Sequence, residues 1–169
     1  MIFLKSKRKD DDFLYFEIIR PIIENKEVQS MEQFAQHGGI SCLDHSMYVS
    51  YTSYLICKRL GYDFHAAARG GLLHDFFLYD WHKSSEDRPG LHAFTHPGEA
   101  LKNAEKHFEL NPRERDIIVK HMWPVTLTLP KYREAFVVMA VDKYCAVMET
   151  LAFWQKKKLL AFRSLRAFV

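Results

Sequence analysis

Six side chains in this sequence have the types and order of a metal cluster. Along the chain they are His45, the adjacent pair His74-Asp75, His96, His121 and Asp142. Imidazole and carboxylate together suit a divalent transition metal (Fe, Mn, Zn, Co or Ni) better than an all-oxygen calcium site. Each residue sits at an informative place. On a helix, His74 and Asp75 point about 100° apart, so they can clasp one ion only where the helix ends. Asp142 shares a helical face with Ala135, Val138 and Ala146, which is otherwise apolar. A carboxylate buried there without a partner costs several kcal/mol and calls for a cation. His121 follows Ile117 and Ile118 on an apolar side, and His96 precedes Pro97 at an expected helix start.

The elements that must position these groups read as helices throughout. No alternation bounded by hairpin turn pairs is found, and no internal repeat or low-complexity tract. The segment from Asp11 to about Gln36 is amphipathic, and Pro21 is expected to split it, leaving a second helix near Glu27–Gln36. Gly38-Gly39 is expected to end that helix. Ser41 or Asp44 can cap the next one, which stops at Gly61. FHAAARGGLLHD predicts a helix ending near Asp75. Two glycines inside it cost about 1 kcal/mol each relative to alanine, so Gly70 and Gly71 point to close approach of neighbouring helices. A long aromatic-rich loop, FFLYDWHKSSEDRPGLHAFT, follows; loops of that length inside a compact domain are usually functional. Pro97 fits the first turn of a helix from about His96 to Phe108. Asn111-Pro112-Arg113-Glu114 is a cap, a first-turn proline and a capping-box glutamate, opening a helix that runs to about Met122. A last core helix covers Tyr132 to about Glu149. Antiparallel packing of the two helices joined near Leu110-Asn111 would bring His96 beside His121.

Composition sets the outer bounds. The chain is 48% hydrophobic and 27% charged, an ordinary globular balance, and 169 residues favour one domain. A net charge of +3 gives no DNA-binding signal. Cys42, Cys57 and Cys145 form no CxxC pair and read as reduced thiols. MIFLKSKRKDDD has no apolar core of signal-peptide length, and no apolar run approaches the ~20 residues of a membrane span. A cytoplasmic location is expected. The basic amphipathic tail, AFWQKKKLLAFRSLRAFV, is expected to pack on the core as a peripheral helix with a solvated basic face; a membrane-surface role is the weaker reading.

In order and context the residues resemble the HD superfamily of metal-dependent phosphohydrolases, over roughly residues 40–150. The H…HD…D core is His45, His74-Asp75 and Asp142; GGLLHD and VDKYCAVME resemble the family's lead-in and final aspartate helix. His96 and His121 resemble the H…HD…H…H…D variant, in a small bacterial branch. The resemblance implies an all-α bundle of about seven helices and one HD-type domain over 1–169. Helices 11–36 and 151–168 would pack on its core. It implies a first metal on His45, His74, Asp75 and Asp142. A second would sit on His96 and His121, with Asp75 bridging the two. The implied reaction is hydrolysis of a phosphate ester or nucleotide through a metal-bridging hydroxide.

Around that core, His92, four residues before His96, is a candidate proton donor to the leaving group or a substitute ligand. Arg69, Lys120, Lys143 and Trp123 are candidates to hold a small phosphorylated substrate. Tyr79 and Trp81 could wall a pocket or stack a base, though core packing is the plainer reading. His37, His65 and His107 read as surface or capping residues, and His82 as a weak candidate in the loop. HDFFLYDWHK has no lysine before Lys83, and a GYP signature is absent, which disfavours a cyclic-dinucleotide phosphodiesterase. Two rivals stand beside the hydrolase. One is a di-iron oxygenase of the same superfamily, like myo-inositol oxygenase, and the other a non-catalytic metal-binding regulatory module. Oligomeric state is left open.

Overall fold

The clearest local signal, the Asn111 cap, is realised in full. Asn111 Oδ1 accepts from the backbone N–H groups of Arg113 and Glu114, each at 2.9 Å, and Glu114 Oε2 accepts from the Asn111 N–H at 2.9 Å. This cap opens one of seven α-helices in the computed structural model, which describes residues 2–36, 40–81 and 91–150. They are α1 (Ile2–Ile23), α2 (Lys26–Ser30), α3 (Cys42–Leu60), α4 (Phe64–Leu73), α5 (His92–His107), α6 (Pro112–Lys120) and α7 (Arg133–Thr150). Among the described residues there is no sheet, only an isolated antiparallel bridge between Ala35 and Ser41. The expected all-α bundle of about seven helices is what is found. No described helix is long and apolar enough to cross a membrane.

The bundle is organised around α4. Its neighbours α3 and α6 approach closely because of the glycine pair. A Cβ on Gly71 would lie 2.9 Å from Ser50 Cα in α3, and one on Gly70 would lie 2.9 Å from Ile117 Cδ1 in α6. Side-chain bonds lock the α1–α3–α4 contact. The Tyr15 hydroxyl donates to Ser50 Oγ at 2.9 Å, and Ser50 donates to the Ala68 carbonyl at 2.6 Å. One apolar cluster lies among α1, α3 and α4, around Ile19, Ile22, Met47 and Leu72. A second lies among α3, α4, α6 and α7, around Val49, Ala67, Ile117 and Val138. The end of α4 therefore emerges in the middle of the molecule, and it carries His74-Asp75.

Caps set the remaining boundaries. Ser41 Oγ accepts from the Asp44 N–H at 3.1 Å, so Ser41 is the cap of α3. Gly61 closes that helix with φ 71°, a conformation that costs a Cβ-bearing residue strain. Asp63 caps α4 through the Ala66 N–H at 2.9 Å.

Three expectations need correction. Pro21 does not split the first helix, which starts at Ile2 and continues to Ile23. Pro21 lies in the last turn, so little helix remains to be broken, and the burial of Ile22 and Ile23 holds that turn. The second helix is short: α2 gives way to a 3₁₀ turn at Met31–Gln33 and then to extended chain. Finally, α5 begins one turn earlier than Pro97 suggests. Leu91 precedes it without a side-chain cap, while Thr95 Oγ1 donates to the Leu91 carbonyl at 3.3 Å within the added turn. His96 thus lies inside the helix rather than at its start. The expected glycine stop at Gly38-Gly39, His37, His82, Lys83 and the C-terminal helix 151–168 lie outside the described residues.

Candidate metal centre

Five elements converge on one buried point. His45 lies in the first turns of α3, His96 in the second turn of α5, and Asp142 in the middle of α7. His74 and His121 are the residues that close α4 and α6, and Asp75 follows His74. Helix ends are where adjacent residues can turn inward together, so His74 and Asp75 both face the cluster. All six side chains are buried.

Asp75 divides the cluster in two. Its Oδ2 lies 3.5 Å from His74 Nε2 and 3.9 Å from His45 Nε2. Asp142 Oδ1 completes that side, 3.1 Å from His45 Nε2 and 3.5 Å from His74 Nε2. Asp75 Oδ1 faces the other side, 3.3 Å from His96 Nε2 and 3.5 Å from His121 Nε2. Adjacent ligands of one transition ion, with bonds of about 2.0–2.2 Å, stand roughly 2.8–3.6 Å apart in octahedral or tetrahedral geometry. Most of the observed separations fall in that range. Three overlapping triads, His45-His74-Asp75, Asp75-His96-His121 and His74-His121-Asp142, each bring their donor atoms within 4.8 Å of one another, and the last spans both sides.

The hydrogen bonds fix which nitrogen of each ring is the donor. His74 Nδ1 donates to the Gly71 carbonyl, His96 Nδ1 to the His92 carbonyl and His121 Nδ1 to the Ile118 carbonyl, each at 2.8 Å. A carbonyl only accepts, so Nδ1 carries the proton and a neutral ring presents its Nε2 lone pair to the cluster. His45 differs, because its Nδ1 faces the buried carboxylate of Glu149 at 2.9 and 3.1 Å. This is the outer-shell partnering that metal-binding histidines carry. The consequence is sharpest between His96 and His121, whose Nε2 atoms lie 2.8 Å apart. Two lone pairs at that distance repel unless a cation or a shared proton stands between them. His74 Nε2 and Asp75 Oδ1 have no hydrogen-bond partner despite full burial. Buried polar atoms without partners are rare and need an explanation. Metal held among these side chains would satisfy them, so the residues fit a metal centre.

The electrostatics agree. Burial alone would raise both aspartates, but His74, His96 and His121 hold Asp75 well below the usual carboxylate range, and His45 and His74 do the same for Asp142. Burial likewise pulls His45 down, yet its bonds to Asp142 and Glu149 push it up to about 10. His74 is raised as well, by Asp75 and Asp142 against burial. Burial, followed by the charge of His74, lowers His121 to about 3. Without a metal the carboxylates thus favour positive charge, a proton or a cation, on the His45–His74 side, while burial keeps His121 neutral.

A cavity of about 490 Å³ opens over the cluster, with Asp75, His96, His121 and Asp142 at its base. His92 and Lys143 also line it. The Tyr79 hydroxyl and His92 Nδ1 share a hydrogen bond of 3.1 Å, and the His92 ring stacks between Trp81 and His96. Lys143 Nζ donates to the His121 carbonyl at 2.8 Å, and burial lowers its pKa. Three expected substrate contacts are placed elsewhere. Arg69 Nε donates to Glu114 Oε1 at 2.6 Å, and its guanidinium also reaches the Glu109 carbonyl at 3.0 Å, at the far end of the α5–α6 hairpin. Lys120 pairs with Asp116 one turn back, at 2.6 Å. Trp123 packs edge-on against Phe136 and is not a wall of the cavity.

Two residues of the site escaped sequence reasoning. Glu149 is seven residues after Asp142, hence on the same helical face, and that spacing was the available signal. Gln36 donates from Nε2 to Asp75 Oδ2. It is brought there by the short bridge that folds 34–36 back along 40–42, which nothing in the sequence marks. Comparison of the chain with protein-family models, curated proteins and solved structures gives no match.

Proposed function

We propose that this chain is a metal-dependent phosphohydrolase of the HD type, holding two divalent metals and acting on a small phosphate ester, nucleotides included. The observation that carries the reading is the His96–His121 pair: two inward Nε2 atoms 2.8 Å apart, each ring fixed by an Nδ1–carbonyl bond. His45, His74, Asp75 and Asp142 would hold the first ion. His96, His121 and the second oxygen of Asp75 would hold the other. Bound there, divalent cations supply Lewis acidity toward a phosphoryl oxygen and toward water, so no serine or cysteine nucleophile is needed.

The chain's own residues supply the rest. Gln36 and Glu149 fix the orientation of Asp75 and His45. The Lys143 ammonium, held at the cavity wall by the His121 carbonyl, would orient an anionic phosphate. With Nδ1 engaged by Tyr79, His92 would pass a proton to the leaving oxygen through Nε2.

The experiment is a screen of protein purified without added metal and then loaded with Mn or Fe. Its targets are phosphomonoesters and nucleotides, with oxygen uptake followed in parallel. Metal-dependent phosphate release that is lost in Asp75→Asn is the expected result. Oxygen consumption without phosphate release would replace the hydrolase with the di-iron oxygenase of the same superfamily. Neither activity in metal-loaded protein would leave a metal-binding regulatory module.

A further inference from the structure

We infer, building on the hydrolase reading, that the cavity selects a phosphate monoester with an apolar body over sugar phosphates and polyphosphates. Above its base the cavity is walled by Trp81, Leu91, Ala93, Met122, Val125 and Ala146. These offer carbon surface to whatever lies beyond the phosphate. The Trp81 ring is pinned there, its indole N–H donating to the Ala35 carbonyl at 3.1 Å. Leu91 is 71% exposed and Val125 46%, so the mouth itself is apolar and would be covered by an apolar substrate body. The volume, about 490 Å³, matches a small organic ligand. A sugar would need a hydrogen-bonding partner for each hydroxyl, and burying an unpaired hydroxyl costs affinity.

Charge narrows the choice further. Lys143 is the only lysine or arginine lining the cavity among the described residues. Two divalent cations beside Asp75, Asp142 and Glu149, with Lys143 added, leave two positive charges. One phosphate monoester, close to a dianion at neutral pH, cancels them. A triphosphate brings about twice that charge, and the described walls hold no cation to meet it.

The test is calorimetry of the full-length protein loaded with Mn, using anions that cannot be hydrolysed as esters. The probes are phenylphosphonate, methylphosphonate and 2-hydroxyethylphosphonate, together with tripolyphosphate titrated at fixed free Mn. Phenylphosphonate is expected to bind about 10–100-fold more tightly than methylphosphonate, the range hydrophobic pockets give for a few buried carbons. Hydroxyethylphosphonate and tripolyphosphate should gain nothing over methylphosphonate. Val125→Asn, at an exposed rim position, should lower the phenyl preference and leave methylphosphonate binding unchanged. Equal binding of phenyl and methyl probes, tighter tripolyphosphate, or no binding of any probe overturns the inference. Phosphate release from phenyl phosphate is read separately. If the phenyl preference holds and no phosphate is released, the selectivity stands and the hydrolase reading fails.

Discussion

Replacing Glu149 with Gln removes one negative charge from behind His45 and leaves an amide oxygen that can still accept the Nδ1 proton. Both side chains are almost fully buried, and the carboxylate oxygens sit 2.9 and 3.1 Å from Nδ1. The bond is therefore charge-assisted and little screened by solvent. Neutralising it makes His45 Nε2 a poorer donor without releasing the ring. Loss of such an outer-shell partner costs about 10–100-fold in metal affinity, or roughly 1.4–2.7 kcal/mol. His96 and His121 take their orientation from backbone carbonyls of α5 and α6, so their side of Asp75 should be nearly unaffected. The assay is Co(II) titration against a competing chelator, followed by visible absorption, for wild type and Glu149→Gln. The expected result is two binding steps in wild type, with only one of them weakened in the variant. Identical titrations would refute the positioning role of Glu149. Equal weakening of both steps, with a lowered melting temperature, would show that Glu149 supports the fold and not one site.

Other perturbations follow from the same geometry. In the metal-free protein His45 is raised from about 6.5 to about 10, so its contribution to stability is full below pH ~6.5 and is lost as pH rises toward 10. His121, lowered to about 3, must stay neutral in the fold, so stability also falls as pH drops from ~6.5 toward 3. Urea unfolding with chelator present should therefore show a maximum near neutral pH; a steady rise from pH 7 to 9 would contradict this. Gly71→Ala gains about 1 kcal/mol of helix propensity but sets a Cβ against the Ser50 backbone. Overpacking of about 1–3 kcal/mol should win and lower the melting temperature. Gly70→Ala presses on Ile117 Cδ1, Cγ2 and Cβ at 2.9–3.1 Å and should also lower the melting temperature, but by less, because a side chain and not a backbone must shift; a larger loss for Gly70→Ala than for Gly71→Ala would be evidence against this packing. Arg69→Ala leaves Glu114 buried without its guanidinium partner, a loss of about 1–3 kcal/mol after allowing for the partial exposure of Arg69. Metal affinity should not change, and a variant with wild-type stability but altered metal or substrate binding would reverse that assignment.

What was legible in the sequence depended on how local the cause was. The caps at Ser41, Gly61 and Asn111 act within a few residues, and the helices they bound were read correctly. Gly70-Gly71 announced close packing because no local preference favours two glycines in a helix. The α5–α6 hairpin followed from the Asn111-Pro112 start, and with it the meeting of His96 and His121. The pairing of Arg69 with Glu114 was not legible, because the two are 45 residues apart and Glu114 looks like nothing more than a capping residue. The start of α5 was misplaced because Leu91 carries no capping side chain, and the proline was the only marker in view. Glu149 was overlooked although Ala135, Val138, Asp142, Cys145 and Glu149 form one buried stripe on α7. A glutamate near a helix end ordinarily faces solvent, and only the position of His45 turns this one inward. Gln36 depended on a backbone bridge that no residue type specifies.

The central claim is that two divalent cations share the Asp75 carboxylate. Metal content per chain tests it directly, by mass spectrometry of protein saturated with Mn or Fe and then freed of unbound metal. The expected values are about two ions per chain in wild type, about one in the His96→Ala, His121→Ala double variant, and fewer than one in Asp75→Ala. A wild-type protein that never exceeds about one ion, or an Asp75→Ala variant that keeps its full complement, would contradict the account.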